Sequence, residues 1–175
     1  MNKELLKLIN KLKKKQLKIL GLANKTNIQN LNLKIHDELS PIAWHIIHCI
    51  FIEALWIRRK FFNDYYYVKK LRKIGDAINI PLENRDTYLP HPSETISFAN
   101  KIFNKNILLL ENLVEKTKQS NNNLFYVIYF LNNHHAQHIE TLKNIVTLIN
   151  IKFNRNSLLF SDQIEGQKYK FEGIY

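Results

Sequence analysis

The chain has 175 residues, 45% of them hydrophobic and 23% charged, with a formal net charge of +11. That length suits one domain with a real core, and that composition excludes an intrinsically disordered chain. Lys outnumbers Arg and stands among abundant Asn and Ile, so composition bias explains the positive charge better than a nucleic-acid or membrane patch does.

With four Gly and four Pro, turn signals are few, and long periodic runs predict an all-α fold. Residues 3–22 carry Leu5, Leu6, Ile9, Leu12, Leu17 and Leu20 near helical spacing, with Lys opposite. Gly21 is placed to end this helix. The Lys-rich start has no uninterrupted apolar core, so it is neither a signal peptide nor a membrane span. The expected location is the cytoplasm. Residues 24–39 read as a connection.

Ser40-Pro41 marks the next start, with Ser40 as cap and Pro41 in the first turn. The helix that follows, Ile42 to Phe62, is apolar almost all round and belongs inside a bundle. His45, His48 and Glu53 interrupt it, and Cys49, the single cysteine, reads as a buried inert thiol. Residues 63–92, punctuated by Gly75, Pro81, Pro90 and Pro92, lack strong periodicity and read as a mixed loop bordering a site. Ser93 caps a third helix running to about Lys118. The last runs from about Leu124 to Asn150, with Phe125, Ile128, Leu131, His134 or His135, His138, Leu142 and Ile145 on its inner stripe. The expectation is an antiparallel four-helix bundle over 1–150 and a C-terminal tail, or the start of a second domain, over 151–175.

Five of the seven His lie in two segments, Trp44-His45-Ile46-Ile47-His48 and His134-His135-Ala136-Gln137-His138. His134 and His138 are four apart and share a helix face. His48 meets them only if two helices pack together. Three neutral imidazoles suit a borderline divalent metal, with Fe(II), Zn(II) and Ni(II) all open, and three ligands leave positions free for water, substrate or O₂.

Ser40-Pro41-Ile42-Ala43-Trp44-His45-Ile46-Ile47-His48, followed by Glu53 and Trp56, resembles the second helix of the DinB-like metal-binding bundles. The nearest branch in this resemblance is the N-terminal domain of the ergothioneine-type sulfoxide synthases. His134-His135-Ala136-Gln137-His138-Ile139-Glu140 is similar to that branch's last-helix motif, and Leu89-Pro90-His91-Pro92-Ser93, with Phe98, to its connection into the third helix. The resemblance implies His48, His134 and His138 as ligands of a non-haem Fe(II), with His45 not a ligand. It implies Gln137 as a contact for a histidine-derived betaine, and Glu140 as an orienting group beside the ligands, a role also considered for Glu53. Relatives carry Arg where His91 and Ala99 stand, so a clamp for a thiol substrate's carboxylates is missing here, and Arg85 is the substitute candidate. The relatives also continue into a domain resembling the formylglycine-generating enzyme. A small-molecule thiol, a betaine and a partner protein carrying that domain are therefore expected. The alternatives are a stand-alone thiol-dependent transferase or isomerase using Zn or Ni, and a non-catalytic metal-stabilised bundle.

Overall fold

In the computed structural model the described residues are 3–116 and 122–159, with side chains described as far as Phe153. Helix α1 spans Lys3–Ala23. It runs through Gly21, where a Cβ would meet nothing within 4 Å, so this glycine marks no stop. A 3-10 turn, Ile28–Asn32, follows, with the Asn27 side chain accepting from the Gln29 amide.

Helix α2 begins at Ile42 as an α-helix to Glu53, continues as a π-helix over Ala54–Arg59, and closes with Lys60–Phe62. Its cap position is Pro41, without a side-chain cap bond. The expected cap, Ser40, is buried and accepts instead from the Arg85 guanidinium at 3.1 Å. Asn63, at φ 53°, ends the helix in the left-handed conformation.

The segment expected to be a loop contains helix α3, Tyr66–Gly75. Its inward side chains, Val68 and Leu71, with half-buried Tyr67 and Ile74 packed against the core, do follow helical spacing. Ten residues between loops make a short periodic signal, easily masked by the flanking turn residues. Helix α4 is Pro92–Lys116. Helix α5 is Asn122–Leu159, so it continues through the first residues expected to be tail, while 160–175 lie outside the described residues.

Two apolar clusters give the directions of the helices. One gathers Ile19 and Ala23 of α1, Ile42 to Ala54 of α2, Ala99 to Phe103 of α4, and Ile139 to Ile149 of α5. The other gathers Leu5 to Leu12 of α1, Ile57 of α2, Ile107 to Val114 of α4, and Leu124 to Leu131 of α5. The start of α1 thus lies with the end of α2, and the start of α4 with the end of α5. In this four-helix bundle α1 and α5 run one way and α2 and α4 the other, and the antiparallel neighbours are α1 with α4 and α2 with α5. The connection between α2 and α4 holds α3. No described helix is long and apolar enough to cross a membrane.

A polar layer separates the clusters. Glu53, fully buried, accepts from Gln16 of α1 at 2.7 Å, from Asn106 of α4 at 2.7 Å and from His135 of α5 at 2.9 Å. Arg58 donates to the other end of Asn106 at 2.7 Å and pairs with Asp64 at 3.0 Å. In a regular α-helix residues 53 and 58 would stand about 140° apart. The wider π turn lets both reach the same amide. Buried polar groups that are fully paired in this way fix which helix faces which.

Candidate metal centre

His48 projects from α2, and His134 and His138 from consecutive turns of α5. The Nε2 atoms of His48 and His138 each lie 3.2 Å from Nε2 of His134, and one ring nitrogen from each residue falls within 4.8 Å of the other two. Ligands about 2.1 Å from an ion stand roughly 3.0–3.4 Å apart in octahedral or tetrahedral geometry. The cluster fits that spacing. His48 is buried, while His134 and His138 are half-buried.

The rings are held in place before any ion arrives. Trp44 stacks on His48 at 4.8 Å with an interplanar angle of 10°, and the Arg85 guanidinium covers the Trp44 ring at 4.1 Å. His48 Nδ1 bonds to the Gly75 carbonyl at 2.7 Å. A carbonyl only accepts, so the proton sits on Nδ1 and Nε2 carries a lone pair. On the far side of His138, its Nδ1 lies 2.9 Å from Nδ1 of His45.

Electrostatics keep the rings neutral. Burial pushes His134 down to about 3, with His135, His48 and His45 adding to the effect. Burial and the same crowd of imidazoles push His138 to about 2. His48 is also lowered, first by burial and partly offset by its bond to Gly75. Three neutral imidazoles converging on one point are a donor set that suits a divalent cation.

A second group, Cys49 with one ring nitrogen each of His134 and His135, also lies within 4.8 Å. Cys49 and His135 are wholly buried, and Nε2 of His135 is bonded to Glu53.

A family model described as the DinB superfamily matches residues 3–142. The chain belongs to the DinB superfamily. No curated protein matches it, and no solved structure does. The DinB match takes in all three converging histidines and every member of the polar layer.

The other residues singled out in this DinB-superfamily sequence fall in different places. Glu53 contacts His135 rather than a member of the cluster. Glu140 is exposed and pairs with Lys143 at 2.9 Å instead of orienting an imidazole. Gln137 is exposed on α5 beside His138. Arg85, besides covering Trp44 and bonding Ser40, donates to the carbonyls of Ile80 at 3.3 Å and Ala77 at 3.5 Å. Sequence reasoning did not anticipate the roles of Gly75, Trp44 or His135. Gly75 carried the one available signal, a glycine at the end of an amphipathic stretch. Trp44, four residues before His48, was visible only as another apolar side chain.

Proposed function

We propose that the chain is a three-histidine divalent-metal domain that takes a small-molecule thiol at the metal. The observation carrying this is the convergence of His48, His134 and His138, two of them only half-buried. A divalent ion held there would supply Lewis-acid chemistry, lowering the pKa of a bound thiol. Three neutral ligands cancel none of the ion's charge, which favours an anionic fourth ligand such as a thiolate. Arg85 lies close enough to depress His48, so its positive charge adds to the pull on an anionic substrate. Gln137, exposed beside His138, is the side chain proposed for direct contact with the second substrate.

The finer form of this reading is a non-haem Fe(II) centre of the sulfoxide-synthase kind. It would act on a thiol and a histidine-derived betaine together with a partner protein carrying a domain like the formylglycine-generating enzyme. Its support is the resemblance of the two histidine segments. The test is elemental analysis of the purified protein, followed by O₂ consumption with both substrates, with and without the companion. Bound iron and O₂ uptake that needs the companion are expected. Bound zinc or nickel without O₂ uptake would instead favour the stand-alone thiol-dependent transferase or isomerase. Absence of any metal, even after reconstitution, would end both forms.

A further inference from the structure

His138 faces two ways. Its Nε2 points into the three-histidine cluster, 3.2 Å from Nε2 of His134. Its Nδ1 points away from it, 2.9 Å from Nδ1 of His45. A neutral imidazole has one N–H and one lone pair. If Nε2 is to bind an ion, the proton of His138 stands on Nδ1, and Nδ1 of His45 must accept it. The proton of His45 then stands on its Nε2, which is buried and has no hydrogen-bond partner. The opposite arrangement puts N–H at Nε2 of His138 and blocks coordination.

From this geometry we infer that His45 is a positioning residue: its Nδ1 accepts the Nδ1 proton of His138, holding the His138 ring with its Nε2 lone pair on the metal. The inference rests on the metal-binding reading above. His45 is well placed for the task. It is on the same helix as His48, three residues before it, and is buried at 6% exposure. The Trp44 ring stands edge-on to it at 5.4 Å, which restricts its rotation. The bond ties α2 to α5, as the contact between His48 and His134 and the bond between Glu53 and His135 also do. A ligand imidazole is commonly oriented by a carboxylate or carbonyl on its other nitrogen. A neutral imidazole in that position orients the ring while raising its basicity less than a carboxylate would. It thereby leaves more of the ion's charge for the open positions.

The side-chain chemistry supplies a discriminating pair of variants. In Asn the Oδ1 atom is bonded to Cγ, as Nδ1 is in His, so His45→Asn presents an acceptor in nearly the same place. His45→Phe keeps an aromatic ring and presents none. Binding of Zn(II) to the full chain is measured by competition with a chromophoric chelator, and ligand geometry by the Co(II) absorption spectrum. His45→Phe is expected to bind Zn(II) roughly 10–100-fold more weakly than the unsubstituted protein, with an altered Co(II) spectrum. His45→Asn is expected to recover most of the affinity and the original spectrum. Equal affinity for the Phe variant, or equal loss in both variants, would overturn the positioning role. Failure of the unsubstituted chain to take up Zn(II) or Co(II) would instead overturn the metal reading itself. Should the Phe variant not fold, the unsubstituted Zn(II) form decides by nitrogen-15 correlation spectra. Protons on Nδ1 of His138 and Nε2 of His45 are expected, and the reverse assignment refutes the inference.

Discussion

The Gly75 carbonyl accepts the Nδ1 proton of His48 at 2.7 Å, and this bond from the end of α3 leaves the Nε2 lone pair of His48 facing the histidine pair on α5. The approach of α3 depends on the absence of a side chain. A Cβ on Gly75 would stand 3.0 Å from Phe51 Cβ and 3.2 Å from the Ile47 carbonyl. Gly75→Ala should therefore push α3 off α2, at a cost of about 1–3 kcal/mol in stability. It should also weaken metal binding, because the acceptor moves. Chemical denaturation and metal titration of the one variant check both effects.

Removing a ligand should separate metal content from folding. His138→Ala and His48→Ala each leave two donors where three converge, so metal content measured after dialysis should fall to a small fraction of the unsubstituted level. His36→Ala, at an exposed loop histidine outside the cluster, should leave it unchanged. Similar metal content in all four proteins would show that the ion binds elsewhere.

The lowered imidazole pKa values set an acid limb for stability. In the unfolded chain these rings titrate at about 6.5. In the folded chain His134 and His45 titrate at about 3 and His138 at about 2. Between those values the unfolded chain binds protons that the folded one refuses. The stabilisation is complete above about pH 6.5 and is lost as pH falls toward 3, at up to about 1.4 kcal/mol per unit for each ring. Because the rings adjoin one another, their contributions are shared rather than summed. Melting temperatures of the metal-free protein should drop from about pH 7 to about pH 5, and Zn(II) should raise them at both pH values, because the ion binds only the folded form. A flat profile over that range would contradict the burial of these rings.

Glu53 should matter more to folding than to the metal. It accepts from Gln16, Asn106 and His135 with no exposure to solvent. Glu53→Ala leaves three buried donors without an acceptor, and a loss of about 3–5 kcal/mol is expected in a urea titration. A loss under about 1 kcal/mol would mean that water enters the layer and replaces the carboxylate.

Cys49 is expected to be silent in the folded protein. It is wholly buried, and burial together with the nearby Glu53 carboxylate raises its thiol well above the ordinary range. Thiolate is the reactive form, so labelling by a thiol reagent should follow the rate of unfolding rather than the rate for a free thiol.

The sequence determined the helices that present long apolar stripes, and it showed His134 and His138 four apart on a shared helix face, because spacings of 3.6 residues are local and survive without a partner. It did not determine helix ends, since caps compete for side chains that tertiary contacts claim: Ser40 is taken by Arg85. It also left His134 and His135 as alternatives on one stripe. Adjacent residues on a helix point about 100° apart, and only the packing of α2 against α5 showed that each is used. His134 goes to the cluster and His135 to Glu53. Which nitrogen of each ring is free was likewise decided only by the fold, because the partners that fix it, Gly75 for His48 and His45 for His138, are distant in the chain and meet only when three helices close on one another.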